Sequence, residues 1–197
     1  MFAELLRSKL VGVCDLSSAQ IVRLQEHYEL LTRWNRTVNL TSVRNFEEAV
    51  ERHYCESVFA ACHLPAGPAS IADIGSGAGF PGIPVAIMRP EVSVVLIEAH
   101  QRKAAFLKEA SRNLPNVRVT AKRAEDLAER FDWVVSRAVR YSDIAGALRK
   151  LAPNAELLTG GVRPSDLPGY DWKEPIRLPW GDRRHLWIGT ACVSRET

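Results

Sequence analysis

The sequence lacks any run of about 18 apolar residues, the minimum for a membrane-spanning helix. Its four cysteines, Cys14, Cys55, Cys62 and Cys192, are scattered and form no C-x-x-C pair, which leaves zinc and dithiol redox motifs unsupported. No other cluster of His, Cys, Asp and Glu has metal-ligand spacing, so no metal is expected. The first 14 residues, MFAELLRSKLVGVC, hold Glu4, Arg7 and Lys9 within their only apolar stretch, unlike a secretion signal. Reduced structural thiols and a cytoplasmic location are the expectation. Internal repeats and low-complexity tracts are missing. Charge of one sign is scarce too: 26 Lys+Arg against 23 Asp+Glu leave +3, which by itself does not call for nucleic acid.

What is present is ordinary for a globular chain. In 197 residues, 46% are apolar and 25% charged, which excludes wholesale disorder and allows a core without disulfide or metal. Arginine supplies 20 of the 26 cations. That suits bidentate phosphate contact, although a GC-rich genome produces the same bias.

Residues 1–62 read as a helical segment packed on a core formed by residues 63–197, in one globular unit. Ser17 and Gln20 fit a capping box, and Ile21, Leu24, Tyr28, Leu31, Trp34 and Val38 follow at helical spacing. A second helix is predicted from Asn45, with Glu48 at the capping-box position, toward Ala61. After the break at Leu64–Pro68 the pattern changes. Short apolar runs at 70–74, 92–97, 117–121, 133–136 and 156–159 alternate with helical windows at 102–114, 124–130 and 143–151. That alternation predicts βαβ units and a mostly parallel sheet. The Pro-, Gly- and charge-rich stretch 163–184 precedes a last strand predicted over 186–193, as in a hairpin with a long loop.

The strongest local signal is Asp73-Ile-Gly75-Ser-Gly77-Ala-Gly79-Phe80-Pro81-Gly82, at the end of the first strand. Ligands of open α/β sheets bind there, and glycines permit close backbone approach. Gly77-x-Gly79-x-x-Gly82 matches the dinucleotide fingerprint, a weak pattern alone. Asp73-x-Gly75-x-Gly77-x-Gly79 is similar instead to the first motif of S-adenosylmethionine (SAM) methyltransferases, where the acid lies near the cofactor's ammonium. A dinucleotide site offers helix N–H groups to pyrophosphate, and Asp73 would repel that anion, which favours SAM. Glu98, ending the second strand, can accept both ribose hydroxyls of an adenosine and fits either ligand. Arg123-Ala124-Glu125-Asp126 follows the third strand, where backbone groups of Ala124 and Glu125 could read an adenine edge.

Together with Trp34-Asn35-x-x-x-Asn39-Leu40-Thr41, Arg52-His53-x-x-x-Ser57, Pro81-Gly-Ile-Pro84 and Ser136-Arg137-Ala138, these residues resemble the bacterial 16S ribosomal RNA guanine-N7 methyltransferases (RsmG, or glucose-inhibited division protein B). The similarity runs from about residue 16 to about 160. It implies a Rossmann-like class I SAM-dependent methyltransferase fold with an N-terminal helical extension. It implies methylation of N7 of one guanine in the decoding-region hairpin of the small subunit. It implies SAM contacts at Gly75, Phe80, Ala124, Glu125 and Arg137, within a cofactor site that also includes Asp73, Gly77, Gly79 and Glu98. Two departures stand out: Glu56 where the family usually has Asp, and no Lys in Gly160-Gly161-Val162-Arg163.

Guanine N7 is a lone-pair acceptor without a proton, so its methylation needs alignment and no general base. Arg137 is the expected positioning residue for substrate or cofactor. It cannot serve as a base. His53 is expected to orient rather than catalyse. Residues 102–123 hold seven Lys+Arg against Glu109 alone, whereas residues 1–60 are balanced. Arg102, Lys103, Arg123 and Arg140 are therefore the expected RNA contacts. The partner implied is 16S rRNA in the small subunit or an assembly intermediate, engaged by a monomer with no membrane. Rival readings are a small NAD-binding oxidoreductase, a SAM-binding ribosome-assembly or RNA-binding factor, and a methyltransferase for another substrate.

Overall fold

The structure, a computed structural model, describes residues 1–160, 164, 167 and 169–192. Helix α1 (Phe2–Leu10) buries Phe2, Leu6 and Leu10, spaced by four so that they share one face. Helix α2 (Ser18–Trp34) starts at the expected capping box: Gln20 N–H donates to Ser17 Oγ, and Ser17 N–H donates to Gln20 Oε1. Its buried face is Ile21, Leu24, His27, Leu30 and Leu31. The expected stripe is thus shifted. Tyr28 and Trp34 are half-buried, and Val38 lies beyond the helix end. Asn35 ends the helix and so takes Val38 off the stripe, turning the chain by clamping residues 40 and 41. Its Oδ1 accepts from the N–H of Leu40 and Thr41 at 2.9 and 3.0 Å, and its Nδ2 donates to Thr41 O at 3.0 Å. That clamp gives the Trp34–Thr41 motif a physical meaning.

The second expected helix does start at Asn45, whose side chain accepts from Glu48 N–H. It reaches His63 in three pieces: α3 (Phe46–Ala49), a π-helical turn over Val50–Cys55, and α4 (Glu56–His63). The wider π-turn is a correction to the regular helix expected. It buries His53, Tyr54 and Cys55, and such turns often mark functional sites.

Five parallel strands follow: β1 (Ser70–Ile74), β2 (Ser93–Ile97), β3 (Val117–Thr120), β4 (Trp133–Arg137) and β5 (Asn154–Thr159). Residues 94–97 are wholly apolar, as a strand covered on both faces tends to be, whereas 70–74 carries the buried Asp73 among Ile71, Ala72 and Ile74. Helices α5 (Gly82–Met88), α6 (Gln101–Ala110) and α7 (Tyr141–Leu151) connect them. The sheet closes with antiparallel β8 (His185–Ala191) on β5, flanked by β6 (Tyr170–Trp172) and by β7 (Ile176–Arg177). The sequence pattern shows neither β6 nor β7. Val193, expected in the last strand, lies outside the described residues, as do Gly161, Val162 and Arg163.

One helical window is overturned. Residues 124–130 form a single 3-10 turn, Ala124–Asp126, and then extended chain. Leu127 and Phe131 are buried with a helical spacing of four, but Phe131 N–H is drawn to Leu151 O at 2.7 Å, which pulls the segment straight. The helix expected over 102–114 likewise ends early, at Ala110.

The strand order β3-β2-β1-β4-β5-β8-β6 reverses direction at β1 and β4. That switch point is where ligands of such sheets bind. One core cluster joins Leu6, Leu24, Val50 and Val58 of the N-terminal helices to Ile71, Leu96 and Phe106. The opposite face packs Ala72, Ile74 and Val95 against Ile144 and Leu148 of α7.

Candidate functional site

The loop from β1 to α5 is held by its glycines. Gly75, Gly77 and Gly79 have φ of +70°, +54° and +89°, a region costly to residues with a Cβ. Space forbids a side chain as well: a Cβ on Gly79 would lie 2.5 Å from Ile83 Cδ1, and one on Gly82 would run into Leu96 Cδ2. The chain here is pressed against its own core, with its other side toward the strand ends.

Asp73 sits beneath this loop rather than on its ligand side. It is fully buried, and its Oδ2 accepts from Gly82 N–H at 3.0 Å, while Oδ1 has no partner. Burial pushes the carboxyl up to about 7. The expected direct place beside an ammonium is corrected accordingly: the side chain reaches down to the start of α5. With Gly82 N–H already taken by a carboxylate, that helix start does not resemble a pyrophosphate cradle.

Glu98 braces the loop from β2. Its Oε2 accepts from Gly77 N–H at 3.0 Å and its Oε1 from His100 N–H at 2.8 Å. A carboxylate has about four acceptor sites, so each oxygen retains one. Ala124 is buried and Glu125 exposed on the turn after β3, where Lys150 Nζ donates to Glu125 O at 2.5 Å. Phe80 as a whole is only 3% exposed, its ring packed on His53 and Tyr54 and its N–H donated to Ser76 O, so it supports the loop from beneath.

Arg137 ends β4 and turns toward the N-terminal helices. Its Nη2 donates to His53 Nδ1 at 2.7 Å and its Nη1 to Arg52 O at 2.5 Å. Because Nδ1 accepts, the proton of His53 sits on Nε2, which donates to Thr41 Oγ1 at 2.8 Å. Burial first, then the Arg137 charge, push His53 down to about 3, so the ring is neutral. It stacks on Phe80 with centroids 4.7 Å apart, and the Arg137 guanidinium lies 5.5 Å from the same ring centre. Glu56, fully buried, accepts two bonds from Arg184 at 2.8 and 2.6 Å, with Arg137 Nη1 3.6 Å away. Three sequence-distant motifs therefore converge here: Asn35–Thr41, Arg52–Ser57 and Ser136–Ala138.

The sequence reading missed two members. Arg184 lies in the stretch read as loop, and no local pattern marks it. His27 was hidden by the choice of Tyr28 for the helical stripe. Its ring nitrogens bond Tyr54 Oη at 2.9 Å and Ala78 O at 3.1 Å, tying α2 to the glycine loop. Burial pushes it down to about 4.

The four expected RNA contacts lie along the C-terminal edge of the strands. Arg102 and Lys103 are in the first turn of α6, Arg123 precedes the turn after β3, and Arg140 caps α7. Arg102, Arg123 and Arg140 are exposed and Lys103 is half-buried. Among the described residues, Arg102, Lys103 and Arg123 form no ion pair, while Arg140 Nε stands 3.8 Å from Asp143. No group of metal-binding side chains occurs among the described residues. Nor is any described helix long and apolar enough to cross a membrane.

Known proteins resemble this chain in sequence and in fold. The family model described as rRNA small subunit methyltransferase G matches residues 20–158. A ribosomal RNA small subunit methyltransferase G of Nitrosomonas europaea is 51% identical over 120 residues, 59% of this chain and 55% of that protein. The match thus spans just over half the length of that relative. A protein of the same name from Xanthomonas axonopodis pv. citri is 40% identical over 172 residues, 85% of this chain and 78% of that protein. Among solved structures, M. jannaschii TYW2 in complex with AdoMet superposes with a TM-score of 0.53 at 15% identity, over 76% of this chain and 77% of that one. That likeness is one of fold, the class I SAM-dependent methyltransferase fold.

Proposed function

The chain belongs to the rRNA small subunit methyltransferase G family, and on that premise we propose that it transfers a methyl group from SAM to N7 of one guanine in 16S rRNA. The observation that carries this is the meeting, at one sheet edge, of the glycine loop, Glu98, the Ala124–Glu125 turn and Arg137. The residues fit the cofactor. Gly75, exposed, and Gly77, half-buried, form a loop surface free of side chains of their own, held in shape by Gly79 and Phe80 beneath it. Glu98 keeps two acceptor sites for ribose hydroxyls. Ala124 and Glu125 present backbone groups to an adenine edge, and Asp73, bound to Gly82 N–H, holds the loop from beneath.

When bound, SAM supplies an electrophilic methyl on a sulfonium. The chain's own task is alignment, which in well-oriented cases supplies about 7–11 kcal/mol. The site agrees with a reaction that needs no general base. Both His53 nitrogens are committed, to Arg137 and Thr41, and the ring is held neutral. Arg137 is fixed by His53, Arg52 O and Glu56, so it acts as a rigid positioning group beside the loop. Arg102, Lys103, Arg123 and Arg140 would contact RNA phosphates along the same edge. The small charge excess suits a folded partner, the small subunit or an assembly intermediate, met by a cytoplasmic monomer whose residues 1–62 and 63–197 work as one unit.

The test is to incubate the protein with methyl-labelled SAM and small subunits from a strain lacking the modification, then to map the label by strand scission at N7-methylguanine. One labelled guanine is the expected result. SAM binding without label would overturn the proposal, and tight NAD binding in place of SAM would favour the dinucleotide alternative.

A further inference from the structure

We infer that Arg184, on the turn between β7 and β8, is a positioning residue for methyl transfer: by occupying the carboxylate of Glu56 it keeps Arg137 bonded to His53 and Arg52. The inference rests on the methyl-transfer reading above. It adds a residue that lies beyond the stretch matched by the family model, residues 20–158.

Two cations compete for Glu56. Its carboxylate is fully buried, and among the described residues it pairs with Arg184 and Arg137, whose side chains are 19% and 13% exposed. A buried carboxylate is costly without a partner, so it draws a cation within reach. Arg184 holds it through a fork: Nε donates to Oε1 at 2.8 Å and Nη2 to Oε2 at 2.6 Å. Such two-point bonds between charged groups are among the strongest a side chain makes. Arg137 Nη1 stands 3.6 Å from the same Oε2, just outside bonding distance. It donates instead to Arg52 O, while Nη2 donates to His53 Nδ1. Both of those acceptors are uncharged. Without Arg184, Glu56 would offer Arg137 a charged acceptor for a move of less than about 1 Å. Capture by both oxygens would take Nη2 from His53 and shift the guanidinium from its place over the Phe80 ring. Misplacement on that scale can cost about 100-fold in rate.

Arg184 is itself firmly placed. Its carbonyl accepts from Leu178 N–H at 3.0 Å, and Gly181, at φ +88°, passes so close that a Cβ there would stand 3.2 Å from Arg184 Cγ. On the same turn, Trp180 packs edge-on against Phe59 of α4, and its Nε1 donates to Lys9 O of α1 at 3.2 Å. The turn is thus fastened to the helices that flank Glu56. Arg177 of the same hairpin behaves differently. It is exposed and pairs locally with Asp182, so it serves as a control.

The test measures methyl transfer to unmodified small subunits for Arg184→Ala, Glu56→Gln, the two combined, Arg184→Lys and Arg177→Ala, with folding followed by thermal melt. The histidine ring nitrogens are read by ¹⁵N NMR, and the His53 signal is identified by its absence from His53→Gln. Removing Arg184 should cost about tenfold or more in kcat/KM while Glu56 is present. It should cost about threefold or less once Glu56→Gln has removed the charge that captures Arg137. Arg184→Lys keeps the charge without the fork and should be intermediate, and Arg177→Ala should stay within about twofold of wild type. The His53 Nδ1 signal should move toward that of an unbonded nitrogen in Arg184→Ala and return in the double variant. Equal losses with and without the Glu56 charge, an unmoved His53 signal, or Arg184→Ala activity within about twofold of wild type would each overturn the inference and leave the reaction standing. If Arg184→Ala does not fold, Arg184→Lys in the two Glu56 backgrounds decides by the same criteria. Absence of label from wild type would overturn the methyl-transfer reading, and with it the role of Arg184 in that reaction.

Discussion

Replacing Asp73 by asparagine tests whether this carboxyl is held as an uncharged group under the glycine loop. The carboxyl is fully buried, and burial moves it from 3.8 to about 7. Below pH 4 it carries its proton in both folded and unfolded chains. Between pH 4 and pH 7 the unfolded chain releases the proton while the folded protein keeps it, so folding stability falls as pH rises. Above about pH 7 both have released it and the loss levels off. A difference of about three units at 1.36 kcal/mol each amounts to about 4 kcal/mol. The amide of the D73N variant would still accept from Gly82 N–H but would not titrate. His27, His53 and Glu156 also shift stability with pH, but they are common to both proteins and cancel in the comparison. Urea unfolding followed by tryptophan fluorescence, at half-unit steps from pH 4 to 8.5, gives the difference directly. The stability of wild type relative to D73N should fall by about 4 kcal/mol by pH 7 and then stay level. A difference that does not change with pH would refute the reasoning and make Asp73 an ordinary ionised carboxylate.

Three further outcomes are expected. His27 is pushed from 6.5 down to about 4, so its contribution to stability is lost as pH falls through that window; His27→Gln should remove about 3 kcal/mol of the acid-induced loss in unfolding experiments at pH 7 and pH 4. Gly79→Ala would set a Cβ 2.5 Å from Ile83 Cδ1 at φ +89°, and should lower stability by about 1–3 kcal/mol and abolish the thermal shift given by SAM. Glu56→Ala would leave the half-buried Arg137 and Arg184 without their shared counter-charge, and should cost about 1.5–3 kcal/mol in urea unfolding and lower methyl transfer, with Glu56→Asp intermediate.

Much of the fold was legible in the sequence because it depends on local rules. The strand Ser70–Ile74 is an apolar run stopped by glycines, and its bounds agree with the expectation. The capping box at Ser17 appears as expected because both of its partners lie within one turn. The glycine loop was legible too, since positive φ restricts the choice to glycine at three alternate positions. Residues 124–130 misled, because a four-residue apolar spacing describes a helix and an extended segment anchored at both ends equally well.

The sequence by itself determined the alternation of strands and helices, the loop at the end of β1 and the family to which its motifs point. Those follow from periodicity, backbone restriction and short-range hydrogen bonds, which neighbouring residues settle among themselves. Only the tertiary structure decided that Asp73 faces down to Gly82, that His53 is gripped between Thr41 and Arg137, and that Arg184 joins Arg137 at Glu56. Each of those contacts spans from 9 to 128 residues of chain. Their charge states follow from burial. Packing of distant segments creates that burial, and no local pattern encodes it.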